Sequence, residues 1–347
     1  MSIPDPAPIL ELIDGFRRSK AMFTAVSMGV FEALHEGPAN VATLSARLPA
    51  NSDALERLLD ACVGMGLLRK SDGAYANQPV AETYLCDHSP YSLSGYVRYS
   101  DEALFPMWAN LADAVREGSD RWTQTFGWQG SLFDHFFKTE TRKRSFLHGM
   151  HGFGQLSSPA IVAAFDLSGF RRMVDLGGAT GHLAIAACER YPQLRAAVFD
   201  LAPVIEVARE YLDASGARER IELLAGDFFQ DDLPPADLYS LGRILHDWRE
   251  DKIRFLLRKI GETLPPGGGL LIAEKLLDED KSGPTPAQTQ SLNMLICTEG
   301  KERTLGEYTA LLQEAGFASV EARRTGTPLD AVLGGKVRSS DLPTRCF

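Results

Sequence analysis

Three short stretches of this 347-residue chain carry side chains whose types and spacing suit ligand chemistry. In the first, the apolar run Met173 to Leu176 leads straight into Gly177 and Gly178, with Gly181 three residues on. Glycines between a strand and a helix let the backbone pass close beneath a ligand, and the helix N-terminus favours anionic groups. In the second, Asp200 closes the run Ala196-Ala-Val-Phe-Asp, about 20 residues beyond the glycines, where a carboxylate can bond both hydroxyls of a ribose. In the third, Ile221 to Phe229 reads as a strand ending in Gly226, Asp227 and Phe228. An acid beside an aromatic suits an adenine ring, bonded at its amino edge and covered on its face. Together the three make a nucleotide-binding corner. A dinucleotide oxidoreductase could use the same glycines, but no later segment supplies a hydride-transfer site.

Two further residues could do acid–base work. His246 follows the apolar run Ala236 to Leu245, at the carboxyl end of a strand that opens onto the same crevice. Histidine is the side chain that trades protons near neutral pH, although Asp247 beside it could also satisfy it as a purely structural residue. Glu274 interrupts the run Leu270 to Leu277. An acid inside an apolar strand is costly unless paired, so Glu274 is expected to face the active-site mouth rather than the core.

An open parallel sheet is needed to hold these residues at one edge. Its helices would be Leu183 to Cys188, Trp248 to Thr263, Leu292 to Cys297 and Leu305 to Ala315, and Val320 to Thr325 with Asp330 to Leu333 would close it antiparallel. Upstream, Ile9 to Phe16 and Ala21 to Leu34 read as two helices, Val41 to Leu48 as a third, and Asn51-Ser-Asp opens a fourth. A hairpin tip at Ser71 to Tyr75 completes a winged helix. Its recognition segment has Asp53, Glu56 and Asp60 against Arg57 alone, which points to dimerisation and away from DNA. From Pro90 to about Ser158 the chain is helical and aromatic.

Composition is that of an ordinary soluble globular protein. Hydrophobic residues are 44%, charged residues 24%, and the formal net charge of −10 disfavours nucleic acid. No apolar run is long enough for a membrane span, and the N-terminus lacks the look of a signal peptide. Cys62, Cys86, Cys188, Cys297 and Cys346 show neither metal nor redox spacing and read as reduced thiols. The expected location is cytoplasmic.

The order of glycine loop, strand-end acid and Gly-Asp-Phe resembles the class I S-adenosylmethionine-dependent methyltransferases. Leu-His-Asp-Trp at 245–248, Leu-Leu-Asp-Glu-Asp at 276–280, Ser-Leu-Asn-Met-Leu at 291–295 and Thr-Glu-Gly-Lys-Glu-Arg-Thr at 298–304 narrow this to the plant-type O-methyltransferases of the acetylserotonin O-methyltransferase group. The resemblance covers nearly the whole chain. It implies a Rossmann-like α/β catalytic domain at 159–347, a helical connector and substrate lid at 106–158, and an N-terminal winged-helix dimerisation domain at 1–105, in a homodimer. It implies S-adenosyl-L-methionine as cofactor, S-adenosyl-L-homocysteine as product, no metal, and a small aromatic hydroxyl as acceptor.

By the same resemblance, Phe137, Gly177, Gly178, Asp200, Gly226, Asp227, Phe228 and Arg243 fall on cofactor positions. His246 falls on the general base, with Glu274 and Glu302 as the acids that flank it. Met150, Phe153, Asp247, Asn293, Met294 and Cys297 fall around the substrate. Three residues depart from the group: Ala179 replaces a glycine, Gly154 a tryptophan and Cys297 a glutamine. The first would shift the glycine loop slightly, and the last two leave the acceptor open. A homologue without catalysis, and methyl transfer to nitrogen or carbon, remain as alternatives.

Overall fold

The computed structural model describes residues 3–130 and 132–337; Cys346 lies outside them. It divides into two compact units, Met1–Pro106 and Met107–Phe347.

In the first unit, helix α1 runs unbroken over Ala7–Ser27. The helix break expected between residues 16 and 21 comes instead at Gly29, which takes a left-handed backbone (φ 77°) before α2, Val30–His35. Helix α3, Val41–Arg47, and helix α4, Ser52–Gly64, start at Asn40 and Asn51, whose side chains accept from the backbone N–H of Thr43 and Ala54. Strands β1 (Ala39–Asn40), β2 (Leu68–Ser71) and β3 (Ala74–Asn77) form a small antiparallel sheet with β3 central, and α5, Pro79–Tyr84, follows. The acids Glu56 and Asp60 of α4 both pair with Lys70 of β2.

The second unit is built on a seven-stranded sheet. Its strands are β4 (Arg172–Leu176), β5 (Arg195–Asp200), β6 (Ile221–Ala225), β7 (Leu238–Gly242), β8 (Gly269–Glu274), β11 (Ser319–Arg323) and β12 (Asp330–Gly335). The order is β11-β12-β8-β7-β4-β5-β6; β12 runs antiparallel to its two neighbours, and every other strand runs in one direction. Strands β9 (Leu276–Leu277) and β10 (Arg303–Thr304) pair separately, so the expected run Leu270 to Leu277 is broken after Glu274.

Side chains alternate between the two faces, as a sheet covered on both sides requires. Val174, Leu176, Ala197, Phe199, Tyr239, Leu241, Leu270 and Ile272 enter the core against helices Glu250–Thr263 and Leu305–Glu314. Met173, Ala196, Val198, Leu238, Leu271 and Ala273 enter the other core, with the helix His182–Arg190. The chain lays down β4, β5 and β6 in one direction, then crosses to β7 and β8 on the far side of β4. That reversal leaves a crevice at the carboxyl ends of β4 and β7, where open α/β sheets bind ligands. Among the described residues, no helix is long and apolar enough to cross a membrane.

Candidate active site

Parallel register brings the sequence-predicted residues to one edge. Leu176 lies opposite Phe199, Asp200 opposite Ala225, and Gly242 opposite Ala273, so Gly177, Asp200, Gly226, Arg243 and Glu274 all sit at the carboxyl ends.

Strand β7 is shorter than expected and stops at Gly242. Arg243 then takes a left-handed backbone (φ 58°), and Leu245–Asp247 form one 3-10 turn that carries His246. A non-glycine residue in that region is strained and must be held. Here Glu274 does the holding. Its Oε1 accepts from the backbone N–H groups of Ile244 (3.0 Å), Leu245 (2.9 Å) and, at 3.4 Å, His246. Glu274 is therefore fully buried, at 0% exposure, and not at the mouth as its sequence context suggested. The missing element was the turn after β7, whose unpaired amides need an acceptor.

His246 is 3% exposed. Its Nδ1 lies 2.7 Å from Glu302 Oε1 and 3.2 Å from Glu274 Oε2, while Nε2 is 3.6 Å from Asp247 Oδ1. Glu302 Oε2 and Glu274 Oε2 have no hydrogen-bond partner among the described residues. Burial pushes the Glu302 carboxyl up to about 8, against the pull of Arg243, Lys275 and Arg303. Burial also lifts Glu274, and the neighbouring Glu302 charge adds to the rise. Asp247 is raised to about 7, chiefly by burial, with His246 pulling the other way. Crowded buried carboxylates cannot all ionise together, so the cluster has room to store a proton.

The loop that carries Glu302 can reach this turn only because residue 300 is glycine. A Cβ there would meet the backbone oxygen of His246 at 2.1 Å. Arg303, 1% exposed, donates to the carbonyls of Leu245 (3.2 Å) and Trp248 (3.4 Å) from beneath. The Gly-Lys-Glu-Arg stretch thus has a physical reason for three of its four residues.

On the nucleotide side, Gly177 is left-handed (φ 67°), and a Cβ would strike Ile244 Cδ1 at 2.5 Å. Phe228 lies beside it, and Phe137 packs near Ala179, Val204 and Val207. Gly178 covers Asp175, whose Oδ1 accepts from Ser240 Oγ at 2.6 Å. Asp200 accepts from the amides of Ala179 (2.8 Å) and Leu201 (2.7 Å) and still keeps part of its surface open. Burial raises it to about 6. Asp227 accepts from the Phe229 N–H and from Gln230, and closes the turn after Gly226.

A nucleoside with an amino-acid tail fits this set. The glycine turn leaves backbone bare, the half-open Asp200 and Asp227 offer lone pairs, and Phe228 offers a ring face. Arg243, over the Phe153 ring at 5.3 Å, offers a guanidinium to a carboxylate.

The substrate-side residues fall into two groups. Asn293 and Cys297 lie on the helix Thr285–Cys297, where the Cys297 thiol donates to the Asn293 carbonyl at 2.9 Å. Burial and the Asp247 charge hold that thiol well above its ordinary value. Met294 is buried on the same helix, while Met150 and Phe153 are half-buried on the long helix Glu140–Ala163.

Sequence reasoning missed two tryptophans and a polar network. Trp108 Nε1 donates to Asn293 Oδ1 at 3.0 Å, and Trp122 Nε1 donates to the Cys297 carbonyl at 2.9 Å. His151 meets Thr180 Oγ1 at 2.8 Å, and His182 meets Ser158 Oγ at 2.9 Å, tying the long helix to the glycine loop. Burial depresses both imidazoles, to about 3 for His151 and about 4 for His182, which keeps them neutral. Each of these links joins segments far apart in sequence, where spacing gives no signal.

Sheet order, glycine turn and strand-end histidine together define a methyltransferase-type α/β fold with a small-molecule crevice. The O-methyltransferase domain family matches residues 108–318, and the O-methyltransferase dimerisation domain family matches residues 10–87. The chain belongs to the S-adenosylmethionine-dependent O-methyltransferases of the acetylserotonin O-methyltransferase type. It is 42% identical to acetylserotonin O-methyltransferase of Gallus gallus, over 95% of this chain and 97% of that one. It is 41% identical to the probable bifunctional dTTP/UTP pyrophosphatase/methyltransferase protein of Homo sapiens over 96% of its own length, but spans only 54% of that relative. The crystal structure of human N-acetylserotonin methyltransferase in complex with SAM superposes with a TM-score of 0.91 at 39% identity, covering 97% of this chain and 99% of that chain.

Proposed function

We propose that this chain moves a methyl group to the hydroxyl of a small aromatic acceptor, with His246 as general base, and works as a homodimer through its N-terminal unit. The observation that carries the reading is the buried triad of His246, Glu302 and Glu274, with Glu302 at 2.7 Å and Glu274 at 3.2 Å from Nδ1. S-adenosylmethionine, when bound, supplies an electrophilic methyl on a sulfonium, so the protein need only position and deprotonate the acceptor. A phenol, with a pKa near 10, is scarcely ionised at neutral pH. With Nδ1 turned to the two carboxylates, Nε2 is the nitrogen left to take the phenolic proton, and the resulting imidazolium stays flanked by acids.

Asn293, Cys297, Phe153 and Met150 would hold the aromatic ring, and Asp247 would steer its hydroxyl toward Nε2. Gly177, Gly178, Asp200, Gly226, Asp227, Phe228, Phe137 and Arg243 would hold the cofactor. The N-terminal unit, read as a winged helix, would serve dimerisation. The similarity to acetylserotonin O-methyltransferases makes hydroxyindoles a natural acceptor class to include. Mass spectrometry of products from a panel of phenols, hydroxyindoles and amines tests the reading. Methyl ethers are expected, and methylation confined to amines, or none at all, would overturn it.

A further inference from the structure

Within the N-terminal unit, three metal-ligating atoms converge where α2 meets α5. His35 ends α2, Glu82 lies in α5, and His88 follows a few residues beyond that helix. Glu82 Oε1 bonds His35 Nδ1 and lies 3.4 Å from His88 Nε2. One ligand atom from each of the three residues falls within 4.8 Å of the others. The two imidazole rings lie with centroids 3.8 Å apart and planes tilted by 38°. In a tetrahedral site with metal–ligand distances of about 2.0–2.1 Å, neighbouring ligand atoms stand about 3.3 Å apart. The Glu82–His88 spacing already has that length.

The groups behind these ligands are in place as well. Asn77 Nδ2 donates to Glu82 Oε2 at 2.7 Å, which leaves Oε1 to face the imidazoles. Glu32 Oε2 lies 3.9 Å from His88 Nδ1, the ring nitrogen turned away from Glu82, and Glu32 is itself held by the Asp87 N–H. Ligating histidines commonly give their second nitrogen to a carboxylate, and ligating carboxylates are hydrogen-bonded in turn. An ordinary surface ion pair would join His35 to Glu82. It gives no reason for two imidazoles to converge on one carboxylate oxygen with both outer partners aimed from behind.

We propose that His35, Glu82 and His88 form a binding site for a divalent transition metal of the zinc class, with Glu32 and Asn77 orienting the ligands and water as the fourth ligand. Two imidazoles and a carboxylate suit zinc, and the ligands are partly exposed, so an ion can reach them from solvent. Buried Cys86 stands behind the site, 3.8 Å from Glu82 Oε2. Its thiol points to Glu82 Oε2, the oxygen that Asn77 already holds, and is left out of the ligand set. Bound metal would clamp α2 to α5 and the loop beyond.

Equilibrium dialysis of the full-length chain, without a polyhistidine tag, against micromolar Zn²⁺ tests this. One bound equivalent is expected for the wild type and equally for His246→Gln, which separates this site from the His246 cluster. His35→Ala, His88→Ala and the milder His88→Gln should each bind at least tenfold more weakly, and Glu32→Gln about 10- to 100-fold more weakly. Co²⁺ in place of zinc should give tetrahedral visible bands without a thiolate charge-transfer band. The proposal is overturned by a wild-type chain that binds no zinc, by full binding in the His35→Ala/His88→Ala double variant, by loss of the equivalent in His246→Gln, or by a thiolate band.

Discussion

The imidazole of His182 fills the space that a side chain at position 154 would need. A Cβ built on Gly154 would meet His182 Cγ at 2.2 Å, and Ser158 Oγ, 2.9 Å from Nδ1, holds the ring there. The glycine that replaces a tryptophan in the resemblance is thus coupled to a second residue, the histidine that opens the helix after the glycine loop. Intrinsic propensity favours Gly154→Ala by about 1 kcal/mol in a helix. Overpacking costs about 1–3 kcal/mol and should win. The melting midpoint of Gly154→Ala should fall by several degrees, and adding His182→Ala should restore most of the loss. Simple additivity in this double-mutant cycle would show that the ring is not the obstacle.

His246→Gln separates a base from a scaffold. Folding and cofactor affinity should stay nearly intact, because the glycine loop, Asp200 and Asp227 are untouched. Turnover should fall by a factor of roughly 10² to 10⁴, the usual range for a positioned general base. The loss should shrink for acceptors with acidic phenols, which arrive already ionised. Equal losses for acidic and ordinary phenols at every pH would make His246 a positioning residue.

Asp200→Ala should weaken S-adenosylmethionine binding by more than tenfold, since a ribose contact to a charged carboxylate is worth on the order of 2 kcal/mol. The same change frees the Ala179 and Leu201 amides, so the variant should also melt lower. Calorimetric titration of the folded variant reads the first effect. Wild-type affinity would remove Asp200 from the cofactor site.

Glu302 and Asp247 give the protein an alkaline weakness. Their folded-state values, about 8 and about 7, lie above their ordinary ones of 4.5 and 3.8, so the native state holds protons more tightly than the unfolded chain. The stability this contributes is fully present below about pH 4 and is lost as pH rises through roughly 7 to 8. Chemical denaturation should therefore show stability declining across that window. In Glu302→Gln, which carries no charge, the decline should be shallower; an unchanged slope would discharge Glu302 from this role.

Much of the fold was readable because its signals are local. Strand-length apolar runs, glycine turns and capping asparagines each act within a few residues, and β4, β5 and α4 lie close to where they were expected. The misplacements share a cause. Glu274 looks like an intruder in a strand until the unpaired amides after β7 are known, because its partners lie about thirty residues upstream, at Ile244 to His246. Trp108, Trp122 and the His182–Gly154 fit were invisible for the same reason. So was the meeting of His35 with Glu82 and His88, since no spacing rule links α2 to α5. In α1, the apolar spacing at Ile9 to Phe16 was seen, but the unbroken length of the helix was not, because the break depends on backbone geometry at Gly29.

That same helix bears on how abundance and survival are linked. Ile9, Leu10, Leu12, Ile13 and Phe16 of α1 are all more than half exposed, Leu12 at 77%. Apolar surface of this kind would be relieved of its cost if, in the proposed homodimer, a second copy covered it. If folding and pairing are one equilibrium, each tenfold dilution removes about 1.4 kcal/mol from it. The melting midpoint should then climb with protein concentration, and Leu12→Glu should abolish the climb. A cell that makes little of this protein would be keeping a less durable one.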